Sequence, residues 1–327
     1  MAGTNSENEV VAFLGPITSY THQAALSRFP ESQYNIVPQT TITDVFDAVQ
    51  SGSVTQGVVP FENSSNGSVI FTLDLFADLQ MRNPDIVVCG EIYLPIHHCL
   101  LGHISKQDAD QSETAQSTSK AKPLHDIKHI TKLYSHHQAW GQCNNFLTTY
   151  FKGIERIDVS STSKASELVS QDTTGTSAAI SSRMAGNLYG LGLLGENIED
   201  MEGNSTRFFI IRRRDNKSTD NTPVFDAVAE TDAEHARYKT LISFTVSHGE
   251  PGALAGCLAV FQKFKLNLTS INSRPSDEAT WHYIFFVETM GRKRLDGQGA
   301  VNEALHQLEG VAQSSRWLGS WENALKG

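Results

Sequence analysis

The segment NSTRFFIIRRR, residues 204–214, places four polar residues directly before an apolar run that ends in three arginines. Phe208 to Ile211 are aromatic or β-branched and have polar neighbours on both sides, which predicts a short strand. Residues 204–207 would then stand at the end of that strand. In α/β sheets, strand ends are where ligands meet hydroxyl and charged groups, although a plain turn that feeds a strand would have a similar composition.

The chain on either side of this segment alternates between strand-like and helix-like stretches. The helix-like stretches show apolar residues at helical spacing after Ser, Thr or Asp, and the strand-like ones are short and β-branched. Such alternation predicts βαβ units and a mostly parallel sheet. The predicted strands are 10–15, 57–62, 85–102, 127–135 and 207–213, and the predicted helices are 22–29, 43–52, 137–151 and 163–171.

Two polar stretches without periodicity divide the chain. Residues 104–126 are rich in Ser, Thr and Gln, which predicts a disordered surface insertion. Residues 215–238 resemble an interdomain linker. The tail after it reads strand, helix, strand, strand, helix, strand, the βαββαβ order of a ferredoxin-like sandwich. We therefore expect a catalytic or binding region at 9–214, a linker at 215–238 and a separate domain at 239–323.

Composition excludes several classes of protein. The net charge is −10 and no Lys/Arg block is interleaved with aromatic residues, which argues against nucleic-acid binding. No apolar run approaches the ~20 residues that a transmembrane helix needs. The four cysteines lack CxxC spacing and the N-terminus lacks an apolar signal region, so we expect a cytoplasmic protein with reduced thiols.

Familiar cofactor motifs are absent or misplaced. GLGLLG at 190–195 matches G-x-G-x-x-G but follows a helix-like stretch, whereas a dinucleotide fingerprint needs strand, turn and helix in that order. The His-His pairs at 97–98 and 136–137 have no clustered carboxylates, and neither a G-x-S-x-G elbow nor a phosphate-binding P-loop occurs. We expect no metal and no cofactor.

Four hydroxyl-rich junctions remain: GPITSYTHQAA (15–25), PFENSSNGSV (60–69), YSHHQAWGQC (134–143) and VSSTSKASEL (159–168). Each sets Ser, Thr or Asn at a strand end or helix start, where free N–H groups and the helix dipole favour an anion. Ordinary capping explains any one of them. All four beside NSTRF favour a shared cleft for a small carboxylate.

These motifs, with GALAGCLAVFQKFKLNLTSINSRP (252–275) and WHYIFFVE (281–288), resemble prephenate dehydratase fused to an ACT regulatory domain, from about Val10 to Trp321. The resemblance implies a lyase that converts prephenate to phenylpyruvate in phenylalanine biosynthesis, in the cytoplasm. It also implies an α/β fold with two lobes like those of a periplasmic binding protein, followed by the ferredoxin-like ACT domain. An arogenate dehydratase and a non-catalytic two-lobe carboxylate-binding protein are the alternatives.

The resemblance also implies site residues. The threonine of the family's Thr-Arg-Phe motif falls on Thr206, which we expect to assist the departing hydroxyl, with His136 as a spare acid. Strand alternation puts Thr206 and Phe208 on one face and Arg207 on the other. The expected substrate-binding residues, many also explicable as caps, are Ser19, Thr21, Asn63, Ser64, Ser135, His136, Gln138, Ser161, Thr162, Arg207 and Phe208.

The effector implied by the resemblance is L-phenylalanine. The sheet edges and faces of a ferredoxin-like tail suit pairing, so we expect a homodimer or homotetramer with the effector bound between paired tails. Two departures from the family pattern stand out: Thr18 to Thr21 keep the hydroxyls of the first motif but lose a glycine, and Asn272 replaces an acidic residue. Neutral Asn272 predicts weaker attraction of the effector's ammonium group. The expected effector residues are Gly252, Ala253, Leu254, Asn272, Ser273, Arg274 and Pro275.

Overall fold

The computed structural model describes residues 9–104, 122–214, 237–277 and 279–325. Most of the predicted insertion and linker therefore lies outside the described residues. No helix within the described ranges is both long enough and apolar enough to cross a bilayer.

The first lobe is a mixed sheet flanked by helices. Its strands run in the order β2-β1-β3-β11-β5, with β4 paired to β3. Strands β1, β2 and β3 are parallel, as the alternation of strand and helix predicts. The elements are β1 (Glu9–Leu14), α1 (Tyr20–Arg28), β2 (Tyr34–Gln39), α2 (Ile42–Ser51), β3 (Gln56–Asn63), β4 (Gly67–Ser68), α3 (Ile70–Ala77), β5 (Ile86–Pro95) and β11 (Ser205–Arg213).

The second lobe is a five-stranded sheet in the order β10-β6-β9-β7-β8. Strand β7 is parallel to both β8 and β9, whereas β6 is antiparallel to β9 and β10. The elements are β6 (Cys99–Gly102), β7 (Lys132–Ser135), α4 (His137–Gln142), α5 (Asn144–Tyr150), β8 (Glu155–Asp158), α6 (Thr162–Ser170), β9 (Ser177–Ser181), α7 (Arg183–Tyr189) and β10 (Gly192–Gly195).

Two crossovers connect the lobes. The apolar run 85–102, which we expected to be one strand, divides into β5 and β6, and these belong to different sheets. The chain returns after β10 and enters the first sheet as β11, antiparallel to both β3 and β5. This two-lobed α/β architecture is the predicted one, but each sheet is mixed instead of mostly parallel.

Local details differ from the prediction in places where tertiary context decides. The helix expected at 137–151 breaks at Cys143, and the strand expected at 127–135 begins only at Lys132. GLGLLG begins at Gly190, the left-handed C-cap of α7, and continues as the short strand β10. The prediction omitted the strands β2, β4, β8, β9 and β10 and the helix α3, whereas the helix-like stretch that precedes GLGLLG is α7.

The tail is a four-stranded antiparallel sheet in the order β13-β14-β12-β15, with two helices, which is the expected ferredoxin-like arrangement. Its sheet packs against the first lobe, because Leu241, Phe286, Leu318 and Trp321 share one core cluster with Phe209 of β11. The elements are β12 (Tyr238–Thr245), α8 (Ala253–Lys263), β13 (Leu268–Pro275), β14 (Tyr283–Met290), α9 (Ala300–Val311) and β15 (Ser314–Glu322).

Gly319 of β15 lies directly against the main chain of β5. Its φ is +130°, and a Cβ there would lie 2.1 Å from the Val88 main-chain oxygen. We expect Gly319→Ala to lower the free energy of unfolding by at least about 1–3 kcal/mol, since backbone cannot move aside as a side chain can. Urea and thermal unfolding would measure this loss.

The matched control is Gly256→Ala, on an exposed turn of α8 where an added Cβ meets nothing within 4 Å. Alanine is favoured over glycine inside a helix by about 0.8–1 kcal/mol, so this variant should be slightly more stable than wild type. A Gly319→Ala protein as stable as the Gly256→Ala protein would contradict the proposed close approach.

Candidate active site

The two crossovers lie side by side and bring the polar tetrad to the junction between the lobes. The Ile96 amide donates to the Asn204 carbonyl at 2.8 Å, and the Ile198 amide donates to the His98 carbonyl at 3.0 Å. Thr206, the second residue of β11, pairs with Asn63 at the end of β3. The half-buried Thr206 is therefore held where the first sheet meets both crossovers.

The Asn63 side chain organises the first half of the site. The two N–H groups of its Nδ2 are shared among three acceptors, namely Asn204 Oδ1 at 3.0 Å, the Ser205 carbonyl at 3.1 Å and Thr206 Oγ1 at 2.9 Å. An amide nitrogen can only donate, so the Thr206 oxygen is the acceptor in this bond. The hydroxyl proton of Thr206 is consequently available to a different acceptor, such as a bound substrate.

The other end of the Asn63 amide reaches the second lobe. Its Oδ1 accepts the main-chain N–H groups of Ser65 and Asn66 at 2.9 and 3.0 Å, and it also accepts from Gln142 Nε2 at 3.2 Å. Because main-chain N–H groups contact only the oxygen end, the orientation of the amide is fixed. Gln142 ends α4, so this bond joins the two lobes beside Thr206.

A buried histidine extends the network. Gln142 donates through Nε2 to Asn63, so its Oε1, 2.6 Å from His98 Nε2, accepts from the imidazole. Burial lowers the pKa of His98, which keeps the ring neutral. Its Nδ1 lies 3.0 Å from the Tyr20 hydroxyl, whose single proton is shared between this nitrogen and the His97 carbonyl at 2.9 Å. Thr206, Asn63, Gln142, His98 and Tyr20 thus form one continuous chain of hydrogen bonds.

The lobes meet a second time at the start of α1. Thr18, buried and at φ +70°, brings its Oγ1 to 2.7 Å from Ser163 Oγ in the first turn of α6. Ser163 also donates to the Ile17 carbonyl at 2.9 Å. The N-terminal ends of α1 and α6 therefore lie next to each other across the lobe junction, and both helix dipoles present their positive ends there.

Several predicted substrate residues are engaged by the fold itself. Ser19 caps α1 by accepting from the His22 amide, and Ser161 caps α6 by accepting from the Lys164 amide. The buried Ser135 hydroxyl donates to the Ile180 carbonyl at 2.8 Å. Their positions at helix starts and strand ends agree with the alternative reading, in which these hydroxyls act as caps or strand-end anchors.

The remaining candidates differ in exposure. Thr21 is buried inside α1, Thr162 is half-buried at the first position of α6, and Gln138 is exposed on α4. Ser64 accepts from the Ser205 amide at 2.9 Å and so stays beside the site. Burial lowers the pKa of His136, so a smaller fraction of this imidazole carries the proton it would need to act as an acid at pH 7.

Arg207 and Phe208 require a correction, because neither side chain lies free in the cleft. Phe208 is buried in the core cluster between β1 and α1. The Arg207 guanidinium, on the opposite face from Thr206, contacts the carboxylates of Glu91 and Glu288, its Nε donating to Glu91 at 2.8 Å. Burial alone would lower the pKa of Arg207. The two carboxylates raise this pKa by more, so the net shift is upward and the group stays cationic.

The expected effector residues lie on two elements of the tail. Gly252, at φ +88°, precedes α8, whose first turn contains Ala253 and Leu254. Asn272 to Pro275 form the end of β13, where Asn272 and Arg274 contact the first lobe and Ser273 and Pro275 are exposed. There Asn272 Oδ1 accepts from Ser68 at 2.7 Å, and Arg274 forms a bidentate pair with Asp74 of α3, its second bond being 3.1 Å.

Gln142, His98 and Tyr20 were not predicted as site residues, because nothing local distinguishes them from ordinary polar residues. Asn204 was noted only as a member of the polar tetrad. The helical spacing of Gln138 and Gln142 does put both on one face of α4. Only the tertiary contact with Asn63 selects Gln142, whose neighbour Gln138 is exposed.

Comparison with known proteins points to one family. The family model described as prephenate dehydratase matches residues 11–216. A bifunctional chorismate mutase/prephenate dehydratase of Aquifex aeolicus is 37% identical over 315 residues, which cover 96% of this chain and 74% of the relative. A prephenate dehydratase of Methanocaldococcus jannaschii is 31% identical over 304 residues, which cover 92% of this chain and 94% of that relative.

A solved structure agrees with the sequence relatives. The prephenate dehydratase of Arthrobacter aurescens, in complex with L-Phe, superposes with a TM-score of 0.75 at 25% identity. The match covers 96% of this chain and 90% of that one, so it includes both lobes and the C-terminal domain.

The buried histidine gives the site a measurable pH dependence. Burial lowers the pKa of His98 from the ordinary value of 6.5, so below pH 6.5 the unfolded chain binds protons that the folded chain does not. Stability then falls as the pH drops from 6.5 to the folded-state pKa. We expect wild type to lose more free energy of unfolding between pH 7.5 and 5.5 than His98→Gln does, as measured by urea titration. Equal losses in both proteins would show that His98 does not titrate on unfolding.

Proposed function

This chain belongs to the prephenate dehydratase family, and we propose that it converts prephenate to phenylpyruvate in the cleft between its two lobes. The observation that carries this proposal is the bond from Asn63 Nδ2 to Thr206 Oγ1, which leaves the threonine proton for the substrate. The corresponding role is assistance to the departing hydroxyl.

The reaction needs little from the protein beyond binding and directed hydrogen bonds. The bond between the ring and its carboxylate breaks, and carbon dioxide leaves. The electron pair of that bond completes the aromatic ring, and the ring hydroxyl departs with a proton as water. A threonine hydroxyl is a weak acid, so Thr206 acts by stabilising the leaving oxygen through a hydrogen bond that strengthens as charge develops.

Prephenate is a dicarboxylate, and the adjoining N-terminal ends of α1 and α6 support the proposed anion sites. Thr18 and Ser163 mark this position by their 2.7 Å contact. Free N–H groups and the positive ends of two helix dipoles favour carboxylates there. We assign Ser19, Ser161 and Thr162 to this region as helix-start residues, and we leave Arg207 and Phe208 out of the proposed substrate shell.

The direct test is to incubate the purified chain with prephenate and, separately, with arogenate. We expect phenylpyruvate from prephenate well above the spontaneous rate, followed by its absorbance in alkali and by chromatography. Phenylalanine formed faster from arogenate would reassign the substrate while keeping the elimination chemistry. Neither product above background would remove the proposed activity.

Two variants of Thr206 distinguish a loss of catalysis from a loss of folding. Thr206→Val keeps the branched shape and deletes only the hydroxyl, so kcat should fall by about 10²–10⁴, the usual range for a positioned proton donor. Thr206→Ser keeps the donor and should retain much of the activity. KM should change less than kcat, because the bond is made chiefly in the transition state. A folded Thr206→Val enzyme with near wild-type kcat would assign the role to another group.

We further propose that L-phenylalanine regulates this chain through the tail, in a homodimer or homotetramer. The solved relative in complex with L-Phe supports this, as does the position of β13 at the edge of the tail sheet, with Ile271 exposed. A second copy could continue the sheet at this edge through main-chain hydrogen bonds. The effector would then lie between paired tails near Gly252 and Asn272.

Asn272 gives a specific test of this regulation. Asn272→Glu adds a carboxylate for the effector's ammonium group and can still accept from Ser68, so phenylalanine should inhibit at a concentration lower by roughly fivefold to tenfold, about 1 kcal/mol. Asn272→Gln has the length of glutamate without its charge and is the matched control. Inhibition curves that coincide for the two variants would remove Asn272 from the effector site.

A further inference from the structure

Four buried charged side chains lie where the C-terminal sheet meets the first lobe. We call them the interdomain charge cluster: Arg207 and Glu91 from the first lobe, and Lys239 and Glu288 from the tail. They are 6%, 6%, 4% and 1% exposed, respectively. Two positive and two negative charges balance, so the cluster as a whole can be buried without a net charge.

The contacts cross the domain boundary in both directions. Arg207 Nη2 donates to both Glu91 and Glu288. Lys239 Nζ lies 3.2 Å from Glu91 Oε1 and 3.7 Å from Glu288 Oε1. Glu91 also accepts from the Ala324 amide of the tail at 2.9 Å. Each carboxylate is therefore shared between a cation of its own domain and a cation of the other.

This sharing has a consequence for the opening of the interface. If the tail moved, Arg207 would keep Glu91 and Lys239 would keep Glu288, so each domain would remain neutral at this surface. Most buried charge clusters lack this property, because separating the partners leaves an uncompensated charge, which is strongly unfavourable. The cluster is thus a contact that can be made and broken, and not only a fixed bond between domains.

Its position connects the two proposed sites. Arg207 follows Thr206 directly in β11, a strand that is paired on both sides. Glu288 of β14 pairs in register with Ser270 of β13, and Ser270 accepts from Asn272 Nδ2 at 3.1 Å. Thr269 donates its hydroxyl to Glu288. A shift of β13, the strand that carries Asn272, would therefore move the Glu288 carboxylate relative to Arg207.

We propose that Arg207 is a positioning residue that sets the main chain at Thr206 according to whether Glu288 contacts it, and that phenylalanine acts on catalysis through this contact. The proposal rests on the proposed function and adds the route by which phenylalanine binding reaches Thr206. It predicts that the cluster carries coupling between the sites while contributing little to effector binding itself.

The test removes one ion pair without leaving a net charge. In the double variant Lys239→Met with Glu288→Gln, Arg207 keeps Glu91 and the tail stays neutral. The matched control is Arg82→Gln with Asp47→Asn, an exposed pair 3.3 Å apart in the first lobe. For each protein, calorimetry measures phenylalanine affinity, and steady-state kinetics measures kcat/KM for prephenate without effector and at saturating effector.

In wild type and in the control, the ratio of these two kcat/KM values should lie in the usual range for coupled sites, about 5–150-fold. In the double variant it should fall to within about twofold of one, while phenylalanine still binds with an affinity within roughly threefold of wild type. Thr269→Val, which removes only the hydroxyl donated to Glu288, should lower the ratio in the same direction by less. If the double variant does not fold, Thr269→Val alone tests the proposal.

The variant Arg207→Lys tests whether Arg207 positions the main chain at Thr206. Lysine keeps the charge but loses the planar fork that spans both carboxylates, so kcat should fall while KM changes little. A purely structural role would lower stability without this separation of kcat from KM.

The outcomes separate this proposal from the proposed function. Unchanged inhibition of the double variant and of Thr269→Val, in an enzyme whose wild type phenylalanine inhibits, would overturn the role of the cluster alone. A wild type that forms phenylpyruvate but ignores phenylalanine would overturn both the regulation and its route, leaving the activity intact.

Discussion

The pairing of β11 on both sides is the constraint from which the other features follow. The strand returns from the second lobe and is hydrogen-bonded to β3 and β5 at once, with one register irregularity in each pairing, so it is held from both sides. A strand fixed in this way assigns alternate side chains to opposite faces. Thr206 is thereby held toward the lobe junction and Arg207 toward the C-terminal sheet. One register places a hydroxyl of the proposed active site and a cation of the domain interface on consecutive residues.

The Asn63 side chain orders the polar groups around this strand end through its hydrogen bonds. Every hydrogen-bonding position of its amide that the structure describes is in use, with three acceptors around Nδ2 and three donors around Oδ1. A group that is held from both ends needs no reorganisation when the substrate reacts, which is the condition for effective electrostatic stabilisation. The same amide also accepts from Gln142 of the second lobe, so the hydrogen-bond network around Thr206 continues across the lobe junction.

The sequence predicted those parts of the fold that depend on local patterns. Hydrophobic periodicity and cap residues located most helices, and the βαββαβ order of the tail identified its topology. The run 85–102 was misread as one strand, although Glu91 and Pro95 interrupt its apolar residues and β5 ends at Pro95. The change of sheet at 96–98 is imposed by tertiary packing. Alternation correctly separated Thr206 from Arg207, yet it could not name Glu91 and Glu288 as partners, because they come from distant strands. For the same reason Ser135 was read as substrate-facing although its hydroxyl is held by Ile180.

The interface between the first lobe and the tail combines two kinds of contact with different tolerance for movement. Phe209, Phe286 and Trp321 form an apolar contact, which is non-directional and keeps most of its free energy when surfaces slide by a small distance. The interdomain charge cluster is directional, and its hydrogen bonds weaken steeply with angle. A small rotation of the tail would therefore exchange the partners of Arg207 long before the domains separate. In the proposed coupling, the residue whose partners respond to the position of the tail is the neighbour of Thr206.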